Sequence, residues 1–225
     1  NWPGRPLGSF AIRPGPFFAA TDQFAITIEG QGGHAAKPQE TIDSIVVAAH
    51  VVTALQTIVS RNADPVEQAV VSVTSVESNS KAFNVIAQSV QLKGTTRTLT
   101  PELRQMAEDR LRRIVSATCE AHGAVAKITY YKGYPPMVNH PDQTDFAAKV
   151  ATDVAGACDE APLIMGGEDF AYMLEERPGA YILVGNGDTA GLHHSKYDFD
   201  DNTAPVGASF FARLVERALP IGTAG

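Results

Sequence analysis

The architecture of this chain follows from the run Phe24-Ala25-Ile26-Thr27-Ile28-Glu29 and the glycine-rich run Gly30-Gln31-Gly32-Gly33-His34 directly after it. In the first run, apolar side chains recur at every second position, which is the period of a strand with one buried face. The glycines interrupt that pattern and indicate a turn. The segment therefore predicts a strand that ends in a glycine turn carrying His34.

Further periodic segments follow in the order helix, strand, strand, helix, strand. Asp43 is placed to cap the first helix, predicted over Asp43–Arg61. Thr100 and Pro101 give a cap and a first-turn proline to the second helix, which Gly123 ends. The later strands are predicted at Ala69–Val76, Ser89–Arg97 and Ala126–Tyr131. With the first strand this is the order of a ferredoxin-like βαββαβ unit, an antiparallel sheet with two helices on one face.

The rest of the chain alternates helices and strands. The predicted elements are a helix over Thr144–Ala155, a helix that starts at Glu168, an apolar strand over Ala180–Val184 and a terminal helix over Val206–Leu219. Such alternation is typical of an α/β layer with a mainly parallel sheet. The predicted division is 1–17, 18–132 and 133–225, with the ferredoxin-like unit in the middle. The outer segments have too few strands to complete a sheet, so further strands are expected before Asn1.

The composition restricts the classes of function. The chain has 225 residues and a net charge of -7, and no basic stripe of the kind that neutralises nucleic-acid phosphates. No apolar run reaches the roughly 20 residues that a membrane span needs, so no membrane contact is expected. Cys119 and Cys158 both fall in predicted helices, which favours buried thiols and a reducing cytoplasm over a disulfide scaffold.

Two runs combine acidic and imidazole side chains: Met165-Gly166-Gly167-Glu168-Asp169-Phe170 and Gly191-Leu192-His193-His194 with its acidic continuation to Asp201. Groups of this kind suit a divalent metal that activates water. His193 is interpreted as a metal ligand; the alternative is a surface-loop histidine bonded to Asp198 or Asp200. A lone histidine cannot hold a catalytic metal, so the chain is predicted to contain part of a metallohydrolase site.

Each of the other candidate site residues has a structural interpretation as well as a functional one. Glu168 is interpreted as orienting a ligand or substrate, whereas Asp169 complements a helix dipole. Arg97 could grip a carboxylate through two parallel hydrogen bonds, or be an exposed strand cation. His34 stands among small residues that would present its imidazole to a ligand, or it belongs to a plain turn. Asn84 alone is typical of a turn.

A set of stretches spread along the whole chain carries a family resemblance. They are Asn1-Trp2-Pro3-Gly4, Arg13-Pro14-Gly15-Pro16, Gly30 to Pro38, Asn84-Val85-Ile86, Gly94-Thr95-Thr96-Arg97, Met165 to Phe170 and His193 to Asp201. In this order they resemble the amidohydrolase group of hippurate hydrolase, N-acyl-amino-acid amidohydrolases and indole-acetyl-amino-acid hydrolases. That group lies within the aminoacylase-type metallopeptidases.

The resemblance implies a two-domain subunit. An α/β catalytic domain, here 1–17 and 133–225, would hold two divalent metal ions, zinc or manganese. An inserted lid, here 18–132, would pair two subunits into a homodimer. By the same resemblance His193 is a metal ligand, and His34 is the lid histidine that reaches the partner subunit's active site.

The other site residues implied by the resemblance are substrate contacts. Asn84 and Arg97 would hold the carboxylate end of the substrate, and Gly166, Gly167 and Glu168 would form the active-site wall. The family's cysteine-and-histidine ligand motif, its paired glutamates and the histidine expected just before Asn1 are absent. This chain is therefore expected to be an incomplete portion, inactive alone and without a metal site of its own.

The function implied for the complete protein is hydrolysis of N-acyl-amino acids to a carboxylic acid and an amino acid. A dipeptidase or an N-acetyl-diaminopimelate deacetylase of the same fold is an alternative. A non-catalytic dimerisation module is another, since a degenerate relative would keep the fold alone.

Overall fold

The computed structural model describes residues 1–220. Its strands are β1 (Phe10–Ile12), β2 (Gly15–Phe18), β3 (Ala20–Glu29), β4 (Gly33–His34), β5 (Ala69–Ser78), β6 (Val85–Ile86), β7 (Ser89–Thr98), β8 (Val125–Tyr131), β9 (Met137–Asn139), β10 (Cys158–Glu160) and β11 (Leu183–Val184). Its helices are α1 (Ser44–Leu55), α2 (Thr57–Asn62), α3 (Pro101–Ala121), α4 (Pro141–Ala155), α5 (Phe170–Glu176) and α6 (Thr203–Ala218), with a 3₁₀ turn at Pro38–Glu40.

The chain divides into two compact units. The sheet unit contains Phe18–Met137 and Ile164–Asp169, and the flanking unit contains Asn1–Phe17, Val138–Leu163 and the described residues from Phe170 onward. The segment 164–169, predicted to belong with 133–225, lies in the sheet unit. The reason is backbone pairing, because the Ala19 amide donates to the carbonyl oxygens of Ile164 and Gly166, each at 3.0 Å. Residues 221–225 of the predicted domain lie outside the described part.

The sheet unit has a four-stranded sheet in the order β5-β7-β3-β8. Every neighbouring pair in it is antiparallel. Its four strands and the helices α1 and α3 follow the predicted order along the chain, with the short strands β4 and β6 and the helix α2 in addition. Phe24, Ile26 and Ile28 alternate along β3 and are fully buried against α1 and α3. Burying each such side chain stabilises the fold by about 1.5–3 kcal/mol. The period-two pattern of β3 therefore determines which sheet face the helices cover.

The predicted helix caps of the sheet unit are confirmed. Asp43 Oδ1 accepts from the amide of Ile45 at 2.9 Å, and Thr100 Oγ1 accepts from the amide of Leu103 at 3.2 Å. Gly123 follows α3 with a φ of 74°, in the left-handed region that glycine enters without a Cβ penalty. These local signals fix where both helices begin and where α3 ends.

The first predicted helix is interrupted at Gln56, so that two helices replace one. The Gln56 amide donates to Thr53 O at 3.2 Å, which is a tighter turn than the α-helical one. The hydroxyls of Thr53 and Thr57 bond back to the carbonyl oxygens of Ala49 and Ala54. Such side-chain bonds compete with the backbone ladder and weaken the helix locally.

The stretch formed by α1 and α2 bears on the prediction that no apolar run is long enough to span a membrane. Within residues 1–220, Ser44–Asn62 is the one helical stretch that meets the length and composition of a membrane span. Core helices pass the same test. Here Val47, Val51 and Leu55 are fully buried against the sheet, so one face of the stretch belongs to the core.

The flanking unit has a three-stranded mixed sheet in the order β10-β1-β11. β1 is parallel to β10 and antiparallel to β11, so the prediction of a mainly parallel sheet is only partly right. Phe10 of β1 and Phe210 of α6 pack with ring centroids 5.2 Å apart. Val150 of α4 lies in the same core.

Some element predictions for this unit are wrong. Cys158 lies on β10 rather than in a helix, because it pairs with Phe10 in the parallel ladder. The apolar run Ala180–Val184 forms a strand only at Leu183–Val184, and α5 begins at Phe170 rather than Glu168.

Candidate functional site

His34 and Asn84 lie together at the end of the sheet unit where β3 finishes. His34 pairs with Val85 in the short β4–β6 ladder, and the Ala35 amide donates to Asn84 O at 3.0 Å. The two side chains line an open groove of about 550 Å³. Gly32 permits this approach, because a Cβ there would lie 2.9 Å from Ile86 O.

The hydrogen bonding of His34 selects its tautomer. Its Nδ1 accepts from the Ala36 amide at 3.1 Å. In the neutral ring the proton is then on Nε2, which becomes a donor. The side chain is exposed, so Nε2–H is accessible to a ligand in the groove.

Arg97 lies at the other end of the same sheet. In the ladder it stands opposite Thr21 of β3 and Val70 of β5. Alternate residues of β7 are buried against the helices and Arg97 is not one of them, so its side chain is on the open face, beside that of Thr21. Directly opposed side chains on one face are about 4.5–5.5 Å apart at Cβ.

Gly167 adjoins Thr21 as well, and the Gly166 carbonyl accepts from the nearby Ala19 amide at 3.0 Å. A Cβ on Gly167 would overlap the Thr21 Cγ2 methyl, so only glycine allows this approach. Tyr134 completes the cluster: its carbonyl accepts from the Thr21 amide at 3.0 Å, and its amide donates to Thr21 Oγ1 at 3.2 Å. Arg97, Thr21, Tyr134 and Gly167 form what is called here the arginine corner. Glu168 follows Gly167 and is half-buried.

Within residues 1–220, the guanidinium of Arg97 has no carboxylate partner in an ion pair. The Arg97 side chain is half-buried, so water competes less for its hydrogen bonds. A guanidinium without a carboxylate partner can take an external carboxylate in a charge-assisted, two-point contact.

The structure does not bring Asn84 and Arg97 together in one chain. Arg97 pairs with Thr21 at the start of β3, whereas Asn84 lies beyond Glu29 at its end. At about 3.3 Å per residue, Thr21 and Glu29 are roughly 26 Å apart. One small substrate therefore cannot contact both side chains of one chain.

His193 lies in the flanking unit, in the loop after β11. It is exposed and has a φ of 63°, a left-handed conformation in which histidine is enriched among non-glycine residues. Asn186 holds the loop: its Nδ2 donates to Asp198 O at 2.7 Å, and its Oδ1 accepts from the Asp200 amide at 3.1 Å. The alternative in which the His193 ring bonds to either aspartate is not observed in the described chain.

The residues present do not fit a metal centre. In the described part of the chain, no group of three or more His, Cys, Asp or Glu side chains is placed to hold an ion. His193 by itself is too few ligands for a tetrahedral or two-metal site.

The sequence analysis missed Asp22, Arg104 and Asn186. Asp22 is 1% exposed and accepts three guanidinium hydrogen bonds from Arg104, at 3.2, 2.9 and 2.6 Å. The signal was available, because Asp22 stands at an inward position of β3, in register with Phe24 and Ile26. A charged residue on an inward face needs a buried partner.

The comparisons with known proteins agree with the fold. The chain matches Peptidase family M20/M25/M40 over residues 1–217. It is 38% identical over 201 residues to the N-acetyldiaminopimelate deacetylase of Bacillus subtilis, covering 89% of this chain and 54% of that protein. It is 35% identical over 215 residues to thermostable carboxypeptidase 1 of Saccharolobus solfataricus, covering 93% and 54%.

A solved structure is similar along nearly the whole chain. The crystal structure of a Bacillus subtilis protein, a dinuclear metal-binding peptidase from family M20, superposes with a TM-score of 0.81 at 29% identity, covering 97% of this chain and 55% of that one. The chain thus spans about half the length of the relatives it matches. It belongs to Peptidase family M20/M25/M40.

Proposed function

We propose that the complete protein hydrolyses the amide bond of N-acyl-amino acids, of which hippurate is the type, to a carboxylic acid and an amino acid. The observation that carries this proposal is the arginine corner. Its guanidinium is half-buried and unpaired by any carboxylate of the described chain, and the α-carboxylate is the group that all N-acyl-amino acids share. A bidentate contact there would orient the substrate.

His34 has a complementary role in this proposal. As a donor through Nε2–H, it would stabilise the oxyanion that develops on the amide carbonyl. Asn84 lines the same groove and would add an amide donor beside it. Because this end of the sheet lies roughly 26 Å from the arginine corner, His34 and Asn84 would serve the partner subunit's site.

If the two ends of the sheet serve different subunits, the protein must be at least a homodimer. The subunits would pair through the lid, residues 18–132, with its proposed ferredoxin-like sheet. β5 is an edge strand, and Val70 and Val76 on it are exposed. Ile45 and Val46 of α1 are exposed as well, at 49% and 48%. We propose that these surfaces bury a standard interface of about 1,600 Å² in total. Sedimentation of the full natural-length protein should show a dimer that Val76→Lys weakens; a monomer before substitution would contradict the proposal.

Two divalent metal ions, zinc or manganese, and a cytoplasmic location belong to the same proposal. Metal content of the full natural-length protein would test the first, with His193→Ala expected to lower it. The exposed His193 supports a ligand role, and Cys119 and Cys158, free thiols in the described chain, support a reducing compartment.

The deciding experiment is a substrate panel with the full natural-length, metal-supplied protein. N-benzoylglycine, N-acetyl-amino acids, N-acetyldiaminopimelate and dipeptides would be compared, each with its α-carboxamide analogue. We expect turnover of N-acyl-amino acids and strong loss with the carboxamides. Equal turnover of acid and carboxamide would contradict the assigned role of Arg97.

A second candidate is N-acetyldiaminopimelate deacetylation, favoured by the 38% identity to the Bacillus subtilis deacetylase. A carboxypeptidase or dipeptidase activity is supported by the Saccharolobus relative. The same panel separates them, because the acyl group and the leaving amino acid are varied independently. The presence of the candidate site residues together in one chain favours each of these hydrolase activities over a non-catalytic module. These residues are His34, Arg97, Glu168 and His193.

A further inference from the structure

A buried ion pair lies directly behind the arginine corner. Asp22 is 1% exposed, and its partner Arg104 has a side chain that is 14% exposed. The carboxylate also accepts from the Tyr130 hydroxyl and from the Gly133 amide, both at 3.0 Å. Arg104 in turn donates to Gly133 O at 3.0 Å. Both polar backbone groups of Gly133 are thus held by this pair.

Gly133 connects the pair to the corner. It precedes Tyr134, whose backbone is bonded to Thr21 in both directions. A Cβ on Gly133 would overlap Thr21 O, so the two backbones are in close contact. Thr21 is the cross-strand neighbour of Arg97 and lies against Gly167.

A pair of this kind needs an explanation other than stability. Burying both charges removes their hydration, and apolar replacements are often as stable. The pair does provide a fixed geometry, because Arg104 and Asp22 bind the carbonyl and the amide of Gly133 and so hold its backbone in one position. We propose that Asp22 and Arg104 are positioning residues that fix Thr21 and Tyr134 beside Arg97, so that the guanidinium is held ready for a substrate carboxylate. This inference rests on the proposed function.

The main test is Asp22→Asn in the full natural-length protein. The amide keeps the size of the side chain but removes the charge that faces Arg104. We expect KM for N-acyl-amino acids to rise on the order of tenfold, a size typical of groups that orient a binding residue, with kcat nearly unchanged. For the α-carboxamide analogue KM should change little. Tyr130→Phe is the matched control: it removes a hydrogen bond to Asp22 but leaves Gly133 bound, and should leave KM unchanged.

Two further variants keep the inference testable if Asp22→Asn does not fold. Thr21→Val keeps the methyl against Gly167 and removes only the acceptor of the Tyr134 amide, so it should raise KM for the acid in the same direction by a smaller factor. Combining it with Arg97→Ala should add nothing to the effect of Arg97→Ala, since both act on one contact.

The outcomes are distinguishable. If Arg97→Ala abolishes the preference for the acid while Asp22→Asn and Thr21→Val leave it intact, the positioning role is wrong and the proposed function stands. Equal losses with acid and carboxamide would show a purely structural role and would also overturn the inference. If the parent protein hydrolyses no N-acyl-amino acid, the proposed function is wrong and the inference fails with it.

Discussion

At the start of β3 the carboxylate of Asp22 is closed inside the sheet unit by a guanidinium, a phenol and a backbone amide. At the other end of the strand, His34 stands exposed on a two-residue ladder, with one amide bonded to its ring. The first end is fixed by side chains from several elements. The second is held by the short backbone ladder and by the Gln88 side chain, which bonds to the backbone of Gly30 and Gly32, and it presents the His34 side chain outward.

This difference separates two tasks within one sheet. A group that must bind a fixed charge gains from being held in place before the ligand arrives, because ordering it later costs affinity. A group that acts in another subunit must instead project from its own. In the proposed function the arginine corner would have the first task and His34 the second.

The largest expected effect is on stability, and it should differ sharply between the two ends. Asp22→Ala removes the carboxylate that faces the largely buried guanidinium of Arg104, which costs about 3–5 kcal/mol of unfolding free energy. His34→Ala removes an exposed side chain and should change the unfolding free energy by about 0.5 kcal/mol or less. Urea unfolding of the full natural-length protein measures both. Similar losses for the two variants would remove the contrast between the ends.

Arg97→Ala tests the fixed end by activity. Loss of a charge-assisted contact to a carboxylate should lower kcat/KM by a factor equivalent to about 2–5 kcal/mol. Arg97→Lys should recover only part of it, since an ammonium cannot form the two-point contact.

The carboxamide analogue is the control for this variant. It lacks the charge that Arg97 would bind, so its slow turnover should change little. If acid and carboxamide substrates lose equally, the arginine corner does not bind the carboxylate.

His34→Ala tests the projecting end. Removing one donor to a developing oxyanion lowers kcat by roughly 10²–10³-fold. KM should stay close to that of the parent protein, because the donor acts on the transition state. A variant with raised KM and unchanged kcat would place His34 in substrate binding instead.

Mixed dimers sharpen the same comparison. His34→Ala and Arg97→Ala subunits are each expected to be nearly inactive alone. If His34 serves the partner while Arg97 serves its own subunit, a mixed dimer has one intact site, and random exchange restores roughly a quarter of the parent activity. No recovery after verified exchange would show that both residues act in the same subunit.

The sequence predicted the parts of this arrangement that depend on local signals. The alternation of β3, the cap at Asp43 and the cap at Thr100 are read from neighbouring residues, and each is found in the structure. The family followed from the order of motifs such as Gly94 to Arg97, and the match over residues 1–217 confirms it.

What could not be predicted depends on contacts distant in sequence. Arg97 and Gly167 both adjoin Thr21, a relation that no local pattern encodes. The separation of Asn84 from Arg97 likewise follows from sheet register, since the two residues are near each other in sequence and at opposite ends of β3 in space. Cys158 was misplaced because a short strand at an exposed edge has too few residues to show a period.

The smallest expected effect concerns Tyr130, whose hydroxyl donates to Asp22 at the start of β3. Burial, more than its other surroundings, raises the pKa of Tyr130 well above its usual range, with the Asp22 charge acting in the same direction. A raised pKa in the folded state means that the stabilisation is complete below the ordinary tyrosine pKa of about 10 and is lost as the pH rises above it. The melting temperature of the parent protein should therefore fall more steeply above about pH 10 than that of Tyr130→Phe, with the two curves parallel below it. Absorbance titration of the phenols checks the assignment, since one tyrosinate band should appear last in the parent and be missing from the variant. Parallel melting curves across the whole alkaline range would show that the phenol is not coupled to folding.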